Sequence, residues 1–91
     1  MKLFLLRPIG YHDEWHETGP WNPWYDKVFG HVVRAPDEQT ARRIADEHAG
    51  DENRDRSLRE RHPWLDPEIS ACVELTADGE PGHIIYDHRG A

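Results

Sequence analysis

The segment "PDEQTARRIADEHAG", residues 36–50, decides the fold of this chain because it contains the clearest helix in the sequence. Asp37 follows a proline and is a suitable N-cap, and Glu38 places a negative charge at the positive end of the helix dipole. The spacing i, i+3, i+4 and i+7, which defines one helical face, is occupied by Ala41, Ile44, Ala45 and His48. We predict a helix over residues 37–49 that Gly50 ends in a left-handed conformation.

The opposite side of this helix is charged. Arg42 and Arg43 lie four residues before Asp46 and Glu47, a spacing at which opposite charges attract each other along a helix surface. We therefore expect all four side chains on a solvent-exposed face, while the apolar face packs against a sheet.

Runs with the composition of β-strands occur around the helix, at residues 2–7, 28–35, 69–75 and 83–87. The last two runs are separated by Asp78-Gly79 and Pro81-Gly82, which favour turns and predict a hairpin. The resulting order is β-β-α-β-β. It predicts the α+β fold class, in two layers, with one amphipathic helix on one face of a mostly antiparallel four-stranded sheet.

A length of 91 residues predicts a single domain over 1–91, with a long aromatic and proline-rich loop at 9–26 and a charged connector at 51–62. In the loop, "GPWNPW" is not helical, because each proline disfavours helical backbone in the residue before it. We expect the loop to lay Trp21 and Trp24 over the open sheet face, as core or as anchors for a partner. The other expected core residues are Leu3, Leu5, Ile44, Ala45, Trp64, Val73 and Ile84.

The composition argues against nucleic acid and membrane as partners. The net charge of −7 opposes binding to phosphate backbones, and the arginine run "RDRSLRER" contains acids but no aromatic side chain. No apolar run approaches the roughly 20 residues that span a bilayer, and the N-terminal apolar run is too short for a signal peptide. The lone Cys72 has no partner for an internal disulfide. We therefore expect a cytoplasmic protein.

Several segments together resemble a known pattern: "KLFLLRP", "PWNPWYDKVFGHVVRA", "EHAGDENR" and "PWLDPEISACVELTADGEPG". The chain resembles a group of small bacterial and phage-type proteins in which an aromatic-proline segment leads into a strand, a helix and an acidic hairpin. No activity is established for that group. The resemblance therefore implies a compact soluble domain of bacterial or mobile-element type and assigns no functional residue.

The segment "HDEWH", residues 12–16, is the sharpest local motif. His12 and His16 lie at i and i+4, where a helix would direct both imidazoles toward one metal ion, and Glu17 is a candidate third ligand. A zinc hydrolase is not expected, because the residue after the first histidine is Asp13 rather than glutamate and the chain is small. A metal-binding protein is therefore one alternative function, and a solvated polar loop is the other interpretation of this segment.

Other signs of catalysis are missing from the sequence. It has no phosphate-binding glycine loop, no cysteine-pair metal motif and no serine nucleophile elbow. Cys72 has no base beside it, and the neighbouring acid would raise its pKa and make the thiol less nucleophilic. Asp87, His88 and His83 lie too close to the chain end for a catalytic pocket. We therefore expect a protein that is not an enzyme and uses no cofactor.

The remaining class is a protein-interaction module. Residues 63–91 hold six acids against Arg89, a balance of −5, and the loop at 9–26 is also acidic. An acidic surface with aromatic anchors suits a basic partner, for example a nucleic-acid-handling protein that this chain regulates or inhibits. A self-associating dimer is the second alternative. The candidate protein-binding residues are Asp13, Glu14, Trp15, Trp21, Tyr25 and Asp26.

Overall fold

A computed structural model describes residues 1–9, 20–21, 26–53 and 62–88 of the chain. The elements in chain order are β1 (Lys2–Pro8), β2 (His31–Ala35), α1 (Glu38–Glu47) and β3 (Ser70–Leu75). Short 3-10 helices lie at Asp51–Asn53 and Pro63–Leu65, between α1 and β3. Strands and a helix occur together, so the α+β prediction is confirmed at this level.

The helix begins as the sequence predicts. The Asp37 side chain accepts a hydrogen bond from the Thr40 N–H at 2.8 Å, which satisfies a backbone donor that the helix itself leaves unpaired. The same hydrogen bond lowers the pKa of the Asp37 carboxyl, because it stabilises the charged form.

The end of the helix differs from the prediction. His48 is the C-cap, and Gly50 is not among the described residues with positive φ. Gly50 is required for space instead: a Cβ atom there would lie 2.6 Å from the Asp26 carbonyl oxygen and 2.9 Å from Glu52 Oε1. The glycine therefore permits close packing of two chain segments, residues 26–27 and 50–52, rather than an unusual dihedral angle.

The three strands of the described residues form one antiparallel sheet in the order β2-β1-β3. Directly opposite residues share a face, so the pairings Phe4–Val33, Leu6–His31 and Leu6–Cys72 define one side of the sheet. Helix α1 packs against all three strands on this side. We call the other side the open face.

The core lies between the helix and the sheet. Its buried apolar members are Phe4, Leu6, Trp21, Val33, Ala35, Ala41, Ala45 and Trp64, with Ile44 packed against them. The predictions for Trp21, Trp64, Ala45 and Ile44 are therefore confirmed, whereas Trp24 lies outside the described residues.

The sequence prediction assigned the wrong face of the sheet to the core. Leu3 is 38% exposed, Val73 is 55% exposed, and Leu5 is half-buried, because all three lie on the open face. The run "LFLL" contains no alternation of polar and apolar residues, so its composition does not distinguish one side of β1 from the other.

The predicted fourth strand at 83–87 is not confirmed, because the structure assigns no strand to these described residues. Ile84, predicted in the core, is 66% exposed. The preceding turn contains Gly79 at φ 147°, which only glycine adopts readily, followed by Pro81, so the connection is not a tight two-residue hairpin.

Arg42 contradicts the prediction of a solvated outer helix face. It is only 7% exposed and donates from Nη1 to the Trp64 carbonyl at 2.9 Å and to Ser70 Oγ at 2.8 Å. Its Nη2 donates to the Ser70 carbonyl at 3.0 Å. The neighbouring Arg43 is exposed. One arginine of the pair therefore joins α1 to the start of β3 through a buried network, a role that neighbours in sequence do not reveal.

Glu52 is the second buried charged residue and has no exposed surface. Its Oε1 accepts the backbone N–H groups of Val28 and Gly50, each at 3.0 Å, and its Oε2 accepts the Trp64 indole N–H at 2.7 Å. Three donors satisfy the carboxylate, which makes its burial tolerable. The second residue of the predicted connector at 51–62 is therefore buried and joins parts of the fold.

Replacing Arg42 with methionine should lower the free energy of unfolding by about 3 kcal/mol, because two buried carbonyl groups and a hydroxyl lose a charged donor. Urea unfolding followed by circular dichroism measures the change. The matched control is Arg43→Met, which should change stability by less than about 0.5 kcal/mol. Equal effects of the two substitutions would contradict the buried network.

Replacing Glu52 with glutamine should cost about 2 kcal/mol, because the amide NH₂ group cannot accept a hydrogen bond and faces an N–H donor. Thermal unfolding of the variant tests this expectation. Asp51→Asn, at an exposed neighbouring acid, is the control for loss of charge alone. A Glu52→Gln chain as stable as the original would show that the three donors do not require a carboxylate.

Candidate interaction surface

The open face of the sheet is an apolar surface without a covering layer among the described residues. Val32 is 61% exposed, Val73 is 55% exposed and Leu3 is 38% exposed, while Leu5 and Leu75 are half-buried. These side chains lie on neighbouring positions of three strands, as the register shows. An apolar patch shared by several strands is typical of a surface that meets another molecule.

Arg34 and Arg7 also belong to the open face. Arg34 lies opposite Leu3, and Arg7 lies opposite Ala71. The Arg7 guanidinium forms an ion pair with Asp87, with 3.9 Å between Nη2 and Oδ2. The Arg7 side chain lies close to Gly30, where an added Cβ atom would be 3.3 Å from Arg7 Cδ. The ion pair therefore connects Asp87 to the central strand β1.

We define the C-terminal segment as residues 83–88. Its apolar and aromatic side chains are strongly exposed: Ile84 at 66%, Ile85 at 46% and Tyr86 at 71%. The Tyr86 ring stacks on His83, with 5.1 Å between ring centroids, and lies 6.5 Å from His88. An exposed run of two isoleucines and a tyrosine is unusual for a surface that only meets water.

Several acidic side chains precede this segment in the sequence. The exposed acids that precede the C-terminal segment are Glu68, Glu74, Asp78 and Glu80. Of these four acids, Glu74 is described in an ion pair, with 3.7 Å between its Oε1 and Lys2 Nζ. The negative charge predicted for residues 63–91 therefore lies largely on the surface, in the same part of the sequence as the exposed apolar side chains.

The structure changes the predicted list of protein-binding residues. Trp21 is 3% exposed, donates its indole N–H to the Val28 carbonyl at 2.7 Å and packs edge-on against Trp64 at 5.2 Å. It is a core residue, so its role as a surface anchor is corrected. Asp26 is exposed, with φ 60°, and its carbonyl accepts the Asp51 N–H at 2.8 Å. Asp13, Glu14, Trp15 and Tyr25 lie outside the described residues.

The sequence interpretation missed Ile84, Ile85 and Tyr86 as surface residues. Their signal was present in the same segment, because "HIIYD" lacks the alternation that a half-buried strand shows. The other ionisable residues of this segment have structural contacts: Asp87 contacts Arg7, and His83 and His88 both stack with Tyr86.

The predicted metal ligands His12, His16 and Glu17 lie outside the described residues. Within the ranges that are described, no group of three or more His, Cys, Asp and Glu side chains could hold a metal ion. The alternative of a metal-binding protein therefore stays a prediction that depends on the "HDEWH" segment alone.

A histidine–carboxylate contact joins two segments at the far end of the helix. His62 Nδ1 lies 2.8 Å from Asp46 Oδ1, and the Asn53 side chain donates to the same oxygen at 3.1 Å. Asn53 also donates to the Asp46 backbone carbonyl at 3.2 Å. The contact fixes both ends of the predicted connector at 51–62 against α1.

Cys72 and His31 are the described groups of potential chemical interest on the helix-covered side. Burial raises the pKa of the Cys72 thiol, which makes it less nucleophilic; this is the direction the sequence predicts, with burial as the main cause. Burial also lowers the pKa of His31, an effect that Glu52 opposes and His48 reinforces. The His31 ring packs edge-on against Trp64, with 4.6 Å between centroids.

Comparison with known proteins found no matching family model, no matching curated protein and no matching solved structure. The resemblance to small bacterial and phage-type proteins therefore stays a prediction. Among the described parts of the chain, no helix has the length and apolar character needed to cross a membrane.

The lowered pKa of His31 predicts a specific pH dependence of stability. The unfolded chain binds a proton near the ordinary value of 6.5, whereas the folded chain resists protonation to lower pH. The contribution of His31 is therefore fully present above pH 6.5 and is lost as the pH falls toward the folded-state pKa. Urea unfolding of the original chain and of His31→Gln across this window should show a steeper acid loss in the original chain. Parallel curves would contradict the prediction.

Proposed function

We propose that this chain is a small, acidic, non-enzymatic protein-interaction module that binds a basic surface of another protein and regulates or inhibits it. The observation that carries the proposal is the exposed run Ile84–Tyr86 beside exposed acids in the last third of the chain. Apolar and aromatic anchors give binding energy, and the surrounding charges give orientation and partner choice.

The electrostatics favour a basic partner over an acidic one. The chain carries a net charge of −7, and residues 63–91 account for −5 of it. Such a charge attracts a basic protein over distances of about one Debye length, roughly 8–10 Å at physiological salt. A protein that handles nucleic acid is the chemical class that presents this kind of surface.

The four-stranded β-β-α-β-β arrangement belongs to the same proposal. Residues 83–87 contain the β-branched and aromatic side chains that favour strands, and Asp87 connects them to β1 through Arg7. Pairing of this segment with an edge strand would complete the sheet and order the exposed anchors at the moment of binding.

Affinity capture from the native host, followed by titration of the purified partner, tests the proposal. A basic partner should bind at low salt and dissociate at high salt, and Ile84→Ser with Tyr86→Ala should weaken its affinity at least about tenfold, a typical loss for interface anchors. Neutralising Asp78 and Glu80 should mainly slow association and reduce the salt dependence.

The matched control is Glu47→Gln, which removes an exposed acid from the helix, far in sequence from the C-terminal segment. This substitution should leave the affinity nearly unchanged. A partner whose binding is insensitive to salt and to the Ile84 and Tyr86 substitutions would contradict the proposal.

A further inference from the structure

The open face of the sheet differs in charge from the rest of the chain. The strand register assigns residues of all three strands to this face. Two of these strand residues are arginines, the others are apolar, and none is acidic. They are Leu3, Leu5, Arg7, Val32, Arg34, Ala71, Val73 and Leu75. A chain with 18 acidic residues against 11 lysines and arginines thus has an apolar sheet face on which the strands supply only positive charge.

Both arginines lie toward β2. Arg34 belongs to β2, is exposed, and forms no ion pair with another described residue. Arg7 belongs to β1, but its side chain lies close to Gly30, which precedes β2. Gly30 and Arg34 are four residues apart, so about 13 Å separates the two cationic positions along the strand direction. The exposed Val32 lies between them.

A carboxylate already contacts one end of this row. Asp87 Oδ2 lies 3.9 Å from Arg7 Nη2, and the residues directly before Asp87 are the exposed Ile84, Ile85 and Tyr86. An arginine of the open face therefore accepts a carboxylate that is attached to an apolar segment. Arg34, at the other end, presents the same chemistry to a second carboxylate.

The dimensions of the open face match one helix. The outer strands of a three-stranded sheet lie about 10 Å apart, and a helix with its side chains is about 10–12 Å wide. From Leu3 to Arg7 the face is about 13 Å long, which about nine helical residues cover. The opposite face of the same sheet carries α1, which has ten residues. The open face therefore has room for a second helix of similar length.

We propose that the open face binds an acidic amphipathic helix of another protein, so that the sheet becomes the middle of three layers. The apolar stripe of that helix would cover Leu5, Val32 and Val73. Carboxylates about two turns apart on one flank would meet Arg34 and Arg7, which fixes the orientation of the helix. This surface and this partner differ from those of the proposed function, so the inference does not rest on it.

The net charge of −7 favours a short acidic helix over a long polyanion. Repulsion from the acids elsewhere on the chain is screened within about 8–10 Å at physiological salt, so a helix with a few carboxylates meets mainly the two arginines. A nucleic acid or an anionic membrane extends past the open face and meets the acidic surface as well.

Selection from a displayed peptide library tests the proposal. The peptides should have about 15 residues, a length at which isolated helices begin to form, with a fixed apolar stripe and random flanking positions. The chain should enrich peptides with Asp or Glu on one flank and deplete those with Lys or Arg there. An enriched peptide, once synthesised, should gain helical content on binding, as measured by circular dichroism.

Titration of that peptide against variants of the chain locates the site. Arg34→Glu and, separately, Val32→Ser should each weaken the affinity at least about fivefold, because one removes a charge contact and the other an apolar contact. The matched control is Arg43→Glu, which changes the net charge equally at an exposed position of α1 and should change the affinity less than about twofold. The peptide should shift the methyl NMR signals of Val32 and Val73 but not that of Ala45.

Several results would overturn the proposal. Enriched peptides that are basic or that show no charge preference would do so, as would equal effects of Arg34→Glu and Arg43→Glu. A peptide that binds without gaining helical content would exclude a helix as the occupant. Binding of an oligonucleotide or of phosphatidylserine vesicles that Arg34→Glu abolishes would assign the open face to phosphate groups instead. No basic partner is present in these assays, so their outcome is separate from that of the proposed function.

Discussion

The hydrogen bonding of Trp64 is the constraint on which the rest of the structure depends. Its side chain has no exposed surface, yet its indole N–H and its backbone carbonyl both need partners. Glu52 accepts from the first and Arg42 donates to the second. Each of these charged residues also bonds to another part of the chain. The hydrogen bonds around one buried tryptophan therefore connect the helix, the start of β3 and the chain around Val28.

This arrangement places a network of polar hydrogen bonds at the centre of a small core, in place of additional apolar side chains. The described core has only eight buried apolar side chains, three of them alanines. Directional hydrogen bonds add specificity where apolar area is limited, but they require every partner to be present. The helix and the sheet are therefore joined by specific hydrogen bonds as well as by apolar packing.

The features that depend on residues close in sequence were predicted correctly. The features that depend on contacts between distant residues were missed. The N-cap at Asp37 and the apolar spacing of α1 depend on neighbours within a turn, and both predictions are confirmed except at His48, which is exposed. The burial of Arg42 depends on Ser70, 28 positions away, and sequence spacing assigned it to solvent. The faces of β1 were undecided for the same reason, because only the packing of α1 distinguishes Leu6 from Leu5. The exposure of Ile84 depends on which other segments pack against it, and spacing within the segment does not show this.

The ion pair between Arg7 and Asp87 connects the C-terminal segment to β1, the central strand of the sheet, with 3.9 Å between Nη2 and Oδ2. Because β1 is paired on both sides, the segment is attached to the strand that has the most backbone support. Salt screens an ion pair of this kind, whereas it leaves the backbone hydrogen bonds of the sheet in place. The position of the C-terminal segment on the sheet therefore depends on ionic strength in a way that the sheet itself does not.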